Sequence, residues 1–239
     1  MSGRIVIVGA GGHGRGILEI LRAAAECAGP GARGGAAGGG ACCGPGSSAE
    51  PSTRGIEDAC PVAGFLDDDP NAHAARPGGL PVFGGLEEVP RLIAAGHRFL
   101  IGVGEPTIRR AVAGRLDAMG AAYAIAVHPS ATLYGEVAVA PGCVIGAGVV
   151  VAAATKLREH VLLNLNATVG HDCLLERFAT VGPGANVGGN VTMVNHDANV
   201  MYPTADNQFA AGSVLMMSGG TNSHARFELR QPVADPTAF

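Results

Sequence analysis

Tryptophan is absent, aromatic residues make up 4% of the chain and charged residues only 15%, and lysine occurs once, at Lys156. With a net charge of −4, the charge balance gives a nucleic-acid surface no support. The six cysteines (Cys27, Cys42, Cys43, Cys60, Cys143, Cys173) form no CxxC pair, which removes zinc knuckles and thioredoxin-type motifs. They spell out no disulfide framework either. No apolar run approaches the roughly 20 residues of a membrane span. The N-terminus enters RIVIVGAGGHG directly, without the basic, apolar and small-residue regions of a secretory signal. A soluble protein in the reducing cytoplasm is the expectation.

What the chain has in excess is glycine, 38 of 239 residues, about double the usual share of roughly 7%. An all-helical bundle would not carry it, since each interior Gly costs about 0.5–1 kcal/mol relative to Ala. Collagen is excluded because Gly does not recur at every third position. Global disorder is excluded by 47% hydrophobic residues. The glycine must therefore be local.

Arg4 to Val8 reads as a buried parallel strand. GAGGHG follows, and then a helical pattern through Ile17, Leu18, Ile20 and Leu21. Residues 26–58 collapse to Gly, Ala, Pro and Ser. They lack the apolar side chains that would offset the entropy of ordering, and read as a disordered insertion. PVAGFLDDD then predicts a second strand ending in carboxylates. Leu86–Ala95 predicts a helix, Arg98–Val103 a strand, Thr107–Met119 a helix and Ala121–Val127 a fourth strand. Strands alternating with helices imply a parallel sheet, so residues 1–127 form a small α/β domain.

From 128 the period changes. Every sixth residue from Leu133 to Met193 is aliphatic or Met. Two residues before each lies a second register, from Ala131 through Cys143, Thr155 and Cys173 to Val191, of small or β-branched residues. Helices need a period of 3.6 and strands a period of 2. A sustained period of six is a hexapeptide solenoid of short strands and turns. Gly146, Gly170, Gly182 and Gly188 directly follow inward aliphatic residues. The beat stops after Met193; 194–217 reads as degenerate repeat and 218–239 as an irregular tail.

Two constellations carry chemistry. Gly9-Ala10-Gly11-Gly12-His13-Gly14 fits GxGxxG between a strand and a helix, where free N–H groups favour phosphate. The cluster Asp67-Asp68-Asp69 follows the second strand, where a ribose-binding carboxylate belongs. An NAD-binding oxidoreductase is one reading of this pair. In the solenoid, His171 and Asp172 are adjacent at a corner, where a carboxylate can fix an imidazole as general base. A metal site of three histidines gets no support, because His160 has no partner at ligand spacing.

The layout resembles the sugar O-acyltransferase family that includes sialic-acid O-acetyltransferases and UDP-4-amino-sugar N-acetyltransferases. The resemblance rests on IVIVGAGGHGR, GFLDDDP, GLPVFGG, IGVGEPTIRR, VHPSA and NLNATVGHDC, in order, over about residues 4–193 outside the insertion. It implies a Rossmann-like N-terminal domain followed by a left-handed parallel β-helix, a homotrimer, and acetyl transfer from acetyl-CoA to the hydroxyl or amine of a sugar or UDP-sugar in glycan or glycosylated-metabolite synthesis. It implies catalytic roles for His171 (base), Asp172 (orienting carboxylate) and Asn164. It implies a nucleotide-sugar pocket at Gly11, Gly12, His13, Asp67, Asp68 and Gly104, and acetyl-CoA contacts at Thr180, Gly188 and Gly189, the last as backbone donor to the thioester carbonyl. His128 marks the domain entry and reads as structural.

The chain also departs from the family pattern. Thr180 stands where a CoA-contacting His is common, Glu105-Pro106 replaces an Asn pair, and the last rungs with their closing GxPA segment are unrecognisable after Met193. A trimeric scaffold with impaired catalysis is therefore the competing expectation.

Overall fold

The computed structural model describes residues 4–28, 61–193 and 199–200. The expected insertion, repeat remnant and tail lie largely outside these residues. The described chain falls into two compact units, one drawn from Met1–Gly104 and Ala111–Ser130, the other from Glu105–Arg110 and Ala131–Phe239.

The first unit is built on a three-stranded parallel sheet in the order β2-β1-β3, with β1 at Ile5–Val8, β2 at Val62–Leu66 and β3 at Arg98–Ile101. All four residues of β1 are buried, which is why IVIV runs without alternation: a central parallel strand is covered on both faces. Helix α1 spans Gly12–Ala28 and buries Ile17, Leu18, Ile20 and Leu21 along one stripe. It carries helix three residues into the segment expected to be the insertion.

The helix expected over Leu86–Ala95 begins as a 3-10 turn, Leu86–Glu88, and continues as α2, Val89–Ala94. Pro90, lacking an N–H, fits the first turn of α2. Helix α3 runs Pro106–Ala118. The expected fourth strand is mostly absent. Tyr123 makes a single bridge to Phe99, and only β4, Ala126–Val127, is regular. The Ala-rich stretch between them offers few side chains to bury, so nothing holds it in a longer ladder.

In the second unit the period of six becomes eleven two-residue strands. These are β5 (Thr132–Leu133), β6 (Ala138–Val139), β7 (Val144–Ile145), β8 (Val150–Val151), β9 (Lys156–Leu157), β10 (Leu162–Leu163), β11 (Thr168–Val169), β12 (Leu174–Leu175), β13 (Thr180–Val181), β14 (Asn186–Val187) and β15 (Thr192–Met193). A further strand, β16, lies at Asn199–Val200. Each strand ends on the aliphatic register, and from Ile145 to Met193 those residues are buried.

Strands pair in parallel with the third strand on, giving the stacks β5-β8-β11-β14, β6-β9-β12-β15 and β7-β10-β13-β16. Leu162 faces Thr180, so one coil is 180 − 162 = 18 residues. Three stacked parallel sheets on this repeat fit a left-handed β-helix. The last pairing, Thr180 with Asn199, is one residue longer, which is where the sequence beat slips.

Every corner contains one residue with positive φ, again six apart: Glu136, Gly142, Gly148, Ala154, His160, Asn166, Asp172, Phe178, Gly184 and Asn190. Only three are glycine. Asn, Asp and His tolerate this left-handed region better than other side chains, but Glu136, Ala154 and Phe178 are held there by the stacking. The glycines the sequence placed after the aliphatic register do a different job. Gly170 has no positive φ; a Cβ there would lie 2.4 Å from the Gly189 nitrogen of the next coil.

Candidate active site

His171 and Asp172 form one corner turn of the β-helix. Asp172 sits at φ 56°, and His171 Nδ1 is 2.7 Å from its Oδ2. Both side chains are exposed, 61% and 56%. A carboxylate accepts from Nδ1–H and so leaves the lone pair on Nε2, the arrangement of an oriented imidazole base.

One coil above, the Gly188–Gly189 turn lies directly over this pair. The Asn190 N–H donates to the His171 carbonyl at 2.8 Å. A Cβ at Gly189 would lie 2.7 Å from His171 Nε2, so the imidazole rests on the bare backbone of that residue. Gly170, Gly188 and Gly189 thus bring two turns into close contact around the ring. Four expected site residues meet here: His171, Asp172, Gly188 and Gly189.

Two others do not join them. Asn164 lies at the preceding corner, beyond β11, where its side-chain oxygen accepts from the Leu165 N–H at 2.8 Å. Thr180, expected among the cofactor contacts, is 7% exposed. Its hydroxyl accepts from Arg109 Nη2 at 2.6 Å, and the same nitrogen donates to the Phe178 carbonyl at 2.8 Å. Thr180 is thus a buried anchor for Arg109. Burial lowers the Arg109 pKa to about 10, with Glu105 opposing the shift, so it stays charged near neutral pH. Glu105 itself caps α3 through the Ile108 N–H at 2.7 Å, with Pro106 opening the helix.

The glycine loop belongs to the first unit. Gly9 has φ +108°, and a Cβ at Gly14 would lie 1.9 Å from the Gly9 carbonyl oxygen, so both glycines are demanded by the turn itself. At Gly11 nothing lies within 4 Å of the missing Cβ. Internal packing therefore does not require that glycine, and the space beside it is open. Gly104 packs against His13, where a Cβ would be 3.6 Å from Nδ1.

The carboxylates are engaged within the protein. Asp67 Oδ2 accepts from the Ala10 N–H at 2.9 Å and shapes the loop. Asp68 accepts from the Leu86 N–H at 2.9 Å and pairs with Arg115 at 2.7 Å. Those two partners, the Leu86 bond first, hold its pKa below the ordinary value for Asp.

Sequence reasoning missed the buried supports of the His171 turn. Thr155, fully buried, donates to the Gly170 carbonyl at 2.8 Å and accepts from the Cys173 N–H at 3.2 Å. Cys173 in turn donates to the Gly188 carbonyl at 3.1 Å. The available signal was that Thr155 alone brings a hydroxyl to the small register.

No family model matches the chain. Among solved structures it is similar to PerB from Caulobacter crescentus in complex with CoA and GDP-perosamine, at 27% identity and a TM-score of 0.59, covering 80% of this chain and 73% of that one. A histidine-to-asparagine mutant of perosamine N-acetyltransferase from the same organism, also with CoA and GDP-perosamine, matches at 25% identity and TM-score 0.61 over the same shares. The acetyltransferase domain of PglB from Neisseria gonorrhoeae FA1090, in complex with acetyl coenzyme A, matches at 25% and 0.60, covering 81% and 77%. WeeI from Acinetobacter baumannii AYE, at 18% identity, shares the fold with a TM-score of 0.61 over 87% and 85%.

Proposed function

We propose that the chain is an acetyl-CoA-dependent acetyltransferase acting on the amino sugar of a nucleotide sugar. The observation that carries this is the His171–Asp172 pair set against the Gly189 backbone on a parallel β-helix. Its support is the likeness, at 25–27% identity, to acetyltransferase structures holding CoA or acetyl-CoA, two of them with GDP-perosamine.

In this reading His171 Nε2 takes the proton from the acceptor amine as its nitrogen bonds the thioester carbonyl carbon. The Gly189 N–H donates to the oxygen that becomes negative. The C–S bond then breaks, the carbonyl re-forms, and His171 returns the proton to the departing CoA sulfur. Asp172 holds the ring and steadies its transient charge.

The Rossmann-like reading of the first unit places the nucleotide at the Gly9–Gly14 loop. Gly11 leaves room, Gly12 and His13 begin α1, and Gly104 flanks His13. Asp67 acts by shaping the loop, and Asp68 through its partners Leu86 and Arg115. Acetyl-CoA contacts fall to Gly188 and Gly189, both exposed, and not to Thr180. Asn164 enters as a contact from a neighbouring copy in a cytoplasmic homotrimer.

The test is calorimetric titration of the full chain with acetyl-CoA, with and without GDP- and UDP-linked amino sugars, followed by an assay of CoA thiol release. Binding and turnover are expected, and His171→Ala should lower kcat by about 10²–10⁴. An unchanged rate would remove His171 as the base. Failure to bind acetyl-CoA would leave a scaffold without catalysis.

A further inference from the structure

Six corner turns of the β-helix close in one of two ways. Where the small register holds Ala, the turn closes on itself: Ala167, Ala179 and Ala185 donate to the carbonyls of Asn164, Glu176 and Gly182, each at 3.1 Å. In three other turns a side chain from the coil below bridges the gap, always reaching a carbonyl fifteen residues on. Cys143 donates to the Arg158 carbonyl at 3.0 Å, Thr155 to Gly170 and Cys173 to Gly188. At the Thr155 bridge the turn's own closing N–H, that of Cys173, donates to the same hydroxyl at 3.2 Å.

Two of these three bridged turns are the ones that present His171 and Gly189. They lie on one column of the prism, so that Thr155 fixes the lower turn and Cys173, a member of that turn, fixes the upper. The chain of bonds runs from Thr155 through the Gly170–Cys173 turn to Gly188 without leaving the corner. In a trans peptide the N–H points opposite to the carbonyl. A Gly188 carbonyl drawn toward buried Cys173 therefore turns the Gly189 N–H away from the interior, on the residue whose backbone the imidazole touches.

Resting on the function proposed above, we infer that Thr155 and Cys173 are positioning residues: their internal bridges fix the His171 base and the Gly189 N–H relative to each other. The Cys173 bridge requires a protonated thiol, and burial raises the Cys173 pKa in that direction. Cys143, raised to about 11 by the same cause, makes an equivalent bridge at a turn that presents neither group. It is the built-in control.

The experiment compares Thr155→Val, Cys173→Ala and Cys143→Ala in the full chain, assayed with acetyl-CoA and a nucleotide-linked amino sugar, with thermal melting alongside. Thr155→Val and Cys173→Ala should each lower kcat about tenfold or more with KM within about threefold, the pattern of a misplaced reacting group. Cys143→Ala should stay within about twofold of the parent at a comparable loss of melting temperature. Thr155→Ser, which keeps the hydroxyl, should recover most of the rate and guards against a fold that fails in the valine variant. Losses that follow melting temperature equally in all three would overturn the inference.

A parent chain with no turnover would instead overturn the function, and the ring 15N shifts of His171 then decide the positioning. They should move in Thr155→Val and Cys173→Ala and not in Cys143→Ala. Shifts unmoved in all three would sink it.

Discussion

At the scale of single residues, the candidate site depends on atoms that are missing. Gly170 and Gly189 face each other across one coil step, yet adding a methyl group to each has different consequences. At Gly170 the new Cβ would meet backbone, the Gly189 nitrogen at 2.4 Å, and the next coil must shift. At Gly189 it would meet the far end of a side chain, the His171 ring, which can swing aside. Gly170→Ala should therefore lower stability by about 1–3 kcal/mol, the cost of overpacking, read as a drop in melting temperature. Gly189→Ala should melt near the parent but lose most of its kcat, because the imidazole leaves its place. A Gly189→Ala enzyme of normal rate would show that the ring position is immaterial.

The His171–Asp172 pair was legible because the period of six put both residues at a corner. Asn164 was legible as a corner residue, but its distance from His171 was not. The burial of Thr180 was not legible, since its partner Arg109 lies 71 positions earlier in the chain. A pattern local in sequence carries no trace of such a partner.

At the scale of elements, the corner stack stores strain at known positions. Ala154 adopts φ 58° without a polar side chain to compensate. For an L-residue this region costs roughly 1–2 kcal/mol, partly offset by the extra unfolded-state freedom of Gly, about 0.5–1 kcal/mol. Ala154→Gly should thus stabilise the chain by up to about 1 kcal/mol, visible as a rise in the denaturant midpoint at unchanged slope. The inward positions of the solenoid were legible to the residue, because burial of one side chain per six sets them. The positive-φ positions were not, because only Gly142, Gly148 and Gly184 among the ten advertise them. The helix expected over Thr107–Met119 was legible to within one residue of Pro106–Ala118. The fourth strand was overread, since the alanines of Ala121–Val127 offer little to bury in a longer ladder.

At the scale of the whole molecule, the proposed assembly has a direct test. Tyr134 and Leu165 are 56% and 50% exposed on the β-helix unit, large apolar side chains that a second copy would cover. Sedimentation equilibrium should give three times the chain mass, and Leu165→Glu should shift the protein toward monomer. A monomeric parent would remove the neighbouring-copy role given to Asn164.

The pairing of each strand with the third strand on has an arithmetic that matters for anyone who edits the gene. Inside and outside alternate with a phase of six, whereas corner identity returns only after eighteen. Removing six residues, 160–165 for instance, would keep every aliphatic side chain in the interior and still form a prism. It would also rotate everything downstream by one face, so that Thr155 came to lie beneath Ala179 and no longer beneath Cys173. The core reads this chain modulo six and the chemistry reads it modulo eighteen, so a deletion silent to folding need not be silent to the site.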